Sequence, residues 1–170
     1  MSKQHTRTNR VPFVWPSPPL KIVLVEPEIP GNTGSIARLC AATGTELHLV
    51  GPLGFRLTDK KLRRAGLDYW DAVPLARHTS IEACFHDAPP QRVHLFSTGA
   101  ERSYLEAHYE PGDALVFGNE TRGLPDALLR EQPDSVLGIP LQPEHVRSLN
   151  LANAAAIVLY EALRQNLRSE

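Results

Sequence analysis

The stretch 21-KIVLVEPEIPGNTGSIARLCAATGTELHLV-50 decides the fold. Residues 21–26 are a continuous, β-branched run closed by Pro27, which is how a strand buried in a parallel sheet reads. Residues 28–34 read as a loop: Pro27 and Pro30 stiffen it, and Gly31 and Gly34 allow a close approach of backbone. Residues 35–43 predict a helix, with Ile36, Leu39 and Cys40 at i, i+3 and i+4 and Gly44 as its stop. Residues 46–50 are a second apolar strand. The unit is strand, loop, helix, strand.

The same alternation continues outward. The turn 51-GPLG-54 leads to a short basic helix, KKLRRAG, that Thr58 or Asp59 can N-cap and Gly66 ends. Ser80 caps another short helix ending near His86. Strands follow at 92–97, 114–117 and 135–139, and a helix at 125–131 has Pro at its start. The longest helix is predicted over 150–168. Strands alternating with helices specify an α/β architecture, a mostly parallel sheet flanked by helices. Asn-Gly hairpin signals and internal repeats are absent. In the final helix Leu151, Ala155, Val158 and Ala162, widened by Ala154 and Ile157, form a small, apolar surface over most of the circumference. Such a helix calls for burial on two sides, one by the sheet and one by a partner subunit or by more of the same chain.

Composition bounds the rest. The 170 residues fit one domain, and 42% hydrophobic with 22% charged residues is ordinary globular usage. No apolar run approaches the roughly 20 residues of a membrane span, so a soluble, cytoplasmic protein without a membrane partner is expected. The formal charge is −1, so any nucleic-acid site must be a local patch. Cys40 and Cys84 sit in apolar helical contexts and read as reduced core thiols. Neither CxxC nor HExxH occurs and His and Cys are scattered, so no metal site is expected. Residues 1–19 stand apart, with four of the fifteen prolines (Pro12, Pro16, Pro18, Pro19) and the basic Lys3, Arg7 and Arg10. They lack the features of a secretory signal and read as a flexible basic arm ahead of a single domain over 20–170.

An α/β sheet binds its ligand at the carboxyl ends of its strands. Four strand-to-helix loops are therefore of interest. In 26-EPEIPGNTGSIAR-38, Asn32 offers donors and acceptors, and Arg38 offers a planar fork suited to phosphate. Neither GxxxxGK[ST] nor a GxGxxG after a strand occurs, which disfavours a P-loop ATPase or a dinucleotide dehydrogenase. In 115-LVFGNETRGLP-125, Glu120 is either a catalytic carboxylate or a charge at a helix start. In 139-IPLQPEHVRSLNLAN-153, Arg147, Ser148, Asn150 and Asn153 cluster around a helix start; Ser148 could be its N-cap. The fourth, 95-LFSTG-99, is uninformative alone.

In this order, PGNTGSIAR (30–38), FGNETRGLP (117–125) and IPLQPEHVRSLNLANAAAIVLYEALRQ (139–165) resemble the three motifs of the SPOUT class of RNA 2′-O-methyltransferases. DKKLRRAGLDYW (59–70) resembles the subgroup acting on the wobble nucleotide of tRNA. The likeness runs from residue 21 to about residue 168. It departs at the Pro-rich arm, at Gly31 and at Asn119, the last two standing where proline is common.

The resemblance implies a C-terminal trefoil knot, an exception to the usual rule against threading. It also implies a homodimer built partly by the last helix, a tRNA substrate, and S-adenosyl-L-methionine (AdoMet) as methyl donor. By position, AdoMet would be held by Phe96, Ser97, Gly99, Gly118, Asn119, Glu120, Gly123, Ile139, Leu141, Ser148, Leu149 and Asn153. Asn32, Arg38, Glu120, Ser148 and Asn150 would be catalytic, and Tyr160 is a further candidate facing the same site. A guanidinium with a pKa above about 12 is a poor base. Arg38 is therefore expected to grip an RNA phosphate and stabilise alkoxide charge rather than take a proton. Asn32 would orient the ribose; Glu120 would position the ribose or a water, or balance the sulfonium; Ser148 and Asn150 would shape the pocket. Lys60, Lys61, Arg63, Arg64 and Arg147 would contact RNA. No metal is expected, because the leaving group is already activated. The alternatives are another tRNA or ribosomal position, a catalytically silent RNA-binding dimer, and a small phosphotransferase. The last lacks the Lys and paired acids of metal-assisted phosphoryl transfer.

Overall fold

The computed structural model describes residues 8–58, 60–66 and 70–167, except the side chains of residues 63, 65 and 66. Outside these lie Lys3 and Arg7 of the arm, the capping candidate Asp59, the Arg63 side chain, residues 67–69 of the basic-helix motif, and Arg168, the expected end of the last helix.

In chain order the elements are β1 (Lys21–Val25), α1 (Pro30–Thr43), β2 (Glu46–Val50), α2 (Lys60–Gly66), β3 (Leu75–His78), α3 (Ile81–Asp87), β4 (Val93–Phe96), β5 (Ala114–Phe117), α4 (Asp126–Glu131), β6 (Val136–Leu137) and α5 (Leu151–Asn166). Six strands form one sheet in the order β3-β2-β1-β5-β4-β6. Every pairing in it is parallel, as the alternation of elements required.

Alternation along the strands divides the core into two layers. Ile22, Leu24, Leu47, Leu49, Leu115, Phe117 and Phe96 point to one face, where they meet Ile36, Ala37 and Cys40 of α1 and Ala155, Val158, Leu159, Ala162 and Leu163 of α5. Val23, Val25, Val50, Leu95 and Val116 point to the other, where they meet Cys84 of α3 and Leu124. All five residues of β1 are buried, which explains why Ile22 to Val25 are apolar without alternation; the buried Lys21 lies 3.7 Å from the Glu46 carboxylate. Each fully buried Leu or Ile contributes about 1.5–3 kcal/mol of burial. Cys40 and Cys84 are buried free thiols in these two layers.

Three expectations change. Helix α1 begins at Pro30, not at Ser35. Pro30 occupies the first turn, where its missing N–H costs nothing and its fixed φ suits a helix. Gly31, Asn32, Thr33 and Gly34 are therefore helical rather than loop. A Cβ on Gly31 would meet nothing within 4 Å, so no close backbone approach inside the chain explains that glycine. Strand β3 was not foreseen: LARH is a partly exposed edge strand and carries no continuous apolar run. Strand β6 has two residues where five were expected.

The last helix buries one side only. Ile157 is 38% exposed and Tyr160 51% exposed on the other. Of the arm, Phe13 packs on the main core layer, while Val11, Val14 and Trp15 are exposed. Among the described residues, no helix is long and apolar enough to cross a membrane.

Candidate active site

The carboxyl ends of β4, β5 and β6 and the start of α5 surround a cavity of about 480 Å³, within the usual range for small-ligand sites. Phe96 and Phe117 form its floor with stacked rings, centroids 4.8 Å apart. Ser97 and Thr98 enter from β4, residues 117–124 from β5, Gly138, Ile139 and Leu141 from β6, and residues 147–151 from the lead into α5. The loop after β5 folds tightly on itself. Asn119 Oδ1 accepts from the backbone N–H groups of Thr121 and Arg122, at 2.9 and 2.7 Å. A Cβ on Gly118 would lie 2.0 Å from the carbonyl carbon of Gly123, so only glycine fits.

Two carboxylates tie this loop to the start of α1, in opposite directions. Glu120 accepts from the backbone N–H groups of Glu28 at 2.8 Å and Ile29 at 3.0 Å, and from Asn32 Nδ2 at 3.4 Å. Glu28 accepts from Asn119 Nδ2 at 2.8 Å and from Thr121 Oγ1 at 2.6 Å. A carboxylate at a helix N-terminus satisfies orphan N–H groups and meets the positive end of the dipole. Glu120 thus does at α1 the structural job that the sequence left open beside a catalytic one. Glu28 was missed altogether. The signal available was a pair of acids, Glu26 and Glu28, beside two prolines, and it does not reveal a partner more than ninety residues away.

The third segment joins through Asn150. Its side chain caps α5, accepting from the N–H groups of Ala152 at 2.9 Å and Asn153 at 3.2 Å, while its Nδ2 donates to Asn32 Oδ1 at 3.0 Å. The N-cap is therefore Asn150, not Ser148, because α5 starts at Leu151. Ser148 and Leu149 line the cavity instead. Asn150→Ala removes both caps and the link to α1. A loss of about 1 kcal/mol, or about 2–4 °C in Tm, is expected in a thermal melt.

Asn32 and Asn150 also line a second, open groove of about 570 Å³ between α1 and α5. Ser35, Arg38 and Asn153 lie along it, with the exposed Arg38 side chain one turn into α1. The hydrogen-bonded asparagine pair thus lines both the cavity and the groove.

Of the expected cofactor contacts, Phe96, Ser97, Gly118, Asn119, Glu120, Gly123, Ile139, Leu141, Ser148 and Leu149 line the cavity. Gly99 does not: its N–H turns back to Ser97 Oγ at 3.2 Å. Asn153 faces the groove with Ala152 and Ala156, whereas Leu151 and Ala154 of the same helix line the cavity. Tyr160 lines neither space and stands out on α5. Arg147 lines the cavity mouth. Lys60, Lys61 and Arg64 are exposed on α2, which packs against α1.

A parallel α/β sheet with a ligand cavity at its carboxyl edge, opening beside an arginine-bearing groove, defines an enzyme that brings a small bound molecule to a larger, anionic one. The family follows from comparison. Residues 19–160 match the SpoU rRNA Methylase family, and the chain belongs to it. A tRNA (cytidine(34)-2′-O)-methyltransferase of Escherichia coli (strain K12) is 48% identical over 147 residues, covering 86% of this chain and 93% of the relative. A solved structure described as giving insights into the 2-OH methylation of C/U34 on tRNA superposes with a TM-score of 0.80 at 49% identity, covering 86% of this chain and 95% of that one. The SpoU methyltransferase AviRb of Streptomyces viridochromogenes, in complex with AdoMet, superposes with a TM-score of 0.74 at 29% identity, covering 85% of this chain and 59% of that one.

Proposed function

We propose that this methyltransferase uses AdoMet to methylate the ribose 2′-hydroxyl of the wobble nucleotide of tRNA, a cytidine or a uridine. One observation carries the reading: Asn32 and Asn150, hydrogen-bonded to each other, divide a cofactor-sized cavity from a groove that holds Arg38. Relatives about half identical over most of both chains supply the substrate class.

The residues present fit AdoMet. The stacked Phe96 and Phe117 with Ile139, Leu141 and Leu149 offer an apolar bed, Gly118, Asn119 and Gly123 offer backbone polar groups, and Ser97 and Ser148 offer hydroxyls. The carboxylates of Glu120 and Asp126 in the wall suit a cationic donor. When bound, AdoMet supplies a methyl group already activated by a sulfonium. The chain's part is then to position the sugar and ease loss of its proton. Asn32 and Asn150 orient the ribose at the boundary. Arg38 holds an RNA phosphate and stabilises charge developing on the sugar oxygen, with the proton passing to phosphate or water. Glu120 and Glu28 act as positioning residues that keep α1 and the β5 loop in register.

A threaded C-terminal segment is part of this reading. Its support is that Leu137 and Gly138 run between two parts of one loop. Leu137 O accepts from Ser97 N, while Gly138 N donates to Arg102 O and Gly138 O accepts from Tyr104 N. A Cβ on Gly138 would sit 3.1 Å from Ala100 Cβ and 3.2 Å from Ser97 O. A homodimer is also part of it, supported by the uncovered Ile157 and Tyr160 on α5. Residues 20–170 act as one catalytic domain with residues 1–19 as an appended arm, and a tRNA substrate implies work in the cytoplasm.

Two measurements test the reading. Calorimetry should show AdoMet binding, which a silent RNA-binding dimer would lack. Ribose-methylation mapping of total tRNA after deletion of the gene should lose the mark at the wobble position alone. With Lys60, Lys61, Arg64 and Arg147 on phosphates, tRNA affinity should fall steeply as salt rises, by about 10-fold or more between 50 and 200 mM. A salt-independent affinity in a filter-binding titration would contradict those contacts.

A further inference from the structure

At the far edge of the sheet from the cavity, on the face covered by α3, three side chains from three elements converge. His48 lies in the middle of β2, His78 ends β3 and Cys84 lies in α3. A ring nitrogen of each histidine and the cysteine sulfur all lie within 4.8 Å of one another. His48 and Cys84 are buried, 4% and 1% exposed, and the His78 side chain is 5% exposed. The methyl-transfer site uses none of them.

Each imidazole has a carboxylate on its outer side. His48 Nε2 faces Glu46 Oε2 at 3.0 Å, and His78 Nδ1 faces Asp87 Oδ2 at 3.6 Å. Lys21 lies 3.7 Å from the Glu46 carboxylate, and His86 lies 3.3 Å from that of Asp87. The Glu46 carboxylate accepts the outer N–H of His48, while Asp87 stands just beyond hydrogen-bond distance of His78 Nδ1. With its proton on Nε2, His48 presents the lone pair of Nδ1 to His78 Nε2 at 2.9 Å. The ring centroids are 5.2 Å apart and the planes differ by 23°, so the rings meet edge to edge. A proton on His78 Nε2, or a metal ion in its place, can fill the space between the two nitrogens. A shared proton satisfies the pair but leaves the thiol of Cys84 without a part. A metal ion uses all three donors.

We propose that His48 Nδ1, His78 Nε2 and Cys84 Sγ form a binding site for a thiolate-accepting divalent metal of the zinc class. A carboxylate behind a metal-bound histidine is the usual outer support of such a ligand; Glu46 is hydrogen-bonded to His48, and Asp87 lies 3.6 Å behind His78. Zinc takes His nitrogen at about 2.0–2.1 Å and Cys sulfur at about 2.3 Å, so the nitrogens need to part by a few tenths of an ångström and the sulfur to draw in. Binding releases the thiol proton, and any proton held between the rings, to water. The site would pin β2, β3 and α3 together at an exposed sheet edge, so its role is structural.

Cobalt(II) titration of the full-length, chelator-stripped protein tests this. One equivalent per chain should bind, with the near-ultraviolet charge-transfer band of a cobalt–thiolate bond. Cys84→Ser should remove the band, and Cys40→Ser, at a thiol in the other core layer, should keep it. Glu46→Gln keeps all three ligands and should weaken the affinity about 10–100-fold. Zinc should raise the Tm of the wild-type chain and not that of Cys84→Ser. A titration without the band, a band that survives Cys84→Ser, or an unchanged affinity in Glu46→Gln would overturn the site.

Discussion

Arg38→Ala should lose methyl transfer to tRNA by about 10²–10³-fold in single-turnover rate, the scale set by removing one preorganised charge-stabilising group. AdoMet affinity, read by calorimetry, should stay within about twofold of wild type. The split follows from the geometry. Arg38 lies in the groove between α1 and α5 and does not line the cavity at the ends of β4–β6. It is exposed, so truncation leaves the core layers intact. Lysine at this position should restore only part of the rate, because an ammonium keeps the charge and loses the planar fork. Full activity in Arg38→Ala would remove the guanidinium from the reaction while leaving the family assignment untouched.

Gly118→Ala should do the reverse and damage the cavity proposed for AdoMet. The added Cβ would lie 2.0 Å from the carbonyl carbon of Gly123 and 2.1 Å from the backbone nitrogen of Leu124. Both are main-chain atoms that cannot rotate aside. The loop after β5 must open, and the cavity wall with it. Overpacking a well-packed interior costs about 1–3 kcal/mol; contact with rigid backbone puts this case at the upper end or beyond. AdoMet binding should fall below detection by calorimetry, with a Tm lowered by several degrees. Gly31→Ala is the matched control. A Cβ there meets nothing within 4 Å in α1, so stability should hold or rise by up to about 1 kcal/mol. A Gly118→Ala protein that binds AdoMet as wild type would show that the tight loop is not what shapes the cavity.

Much of this frame was legible because burial writes itself into composition. β1 is buried along its whole length, and after Lys21 it is an unbroken apolar run, Ile22 to Val25. The glycine stop at Gly44 is a left-handed cap at φ 68°, a conformation few other residues adopt. Where packing left no such mark, reading failed. LARH of β3 is a half-exposed edge strand held by pairing with β2, and nothing periodic records that. The start of α1 was hidden because two prolines and two glycines resemble a loop, whereas Pro30 opens a helix and Glu120 holds the N–H groups of Glu28 and Ile29 just before it.

The site divides along the same line. Asn32, Arg38, Ser148 and Asn150 were nominated by their motifs, but their mutual arrangement depends on pairings between residues some ninety to a hundred and twenty positions apart. Glu28 is the clearest example. Its carboxylate holds Asn119 and Thr121, and no local pattern distinguishes it from a solvated acid. His48, His78 and Cys84 likewise lie on separate elements, so their convergence appears only once β3 pairs with β2 and α3 packs over them.

The most direct measurement is a methylation reaction with purified full-length protein, AdoMet and an unmodified tRNA transcript, followed by mass-spectrometric location of the methyl group. One methyl on the ribose 2′-oxygen of nucleotide 34, lost with Arg38→Ala, is the expected result. A methyl group on a base, or no transfer to tRNA from a protein that binds AdoMet, would contradict the proposed meeting of cavity and groove at Asn32 and Asn150.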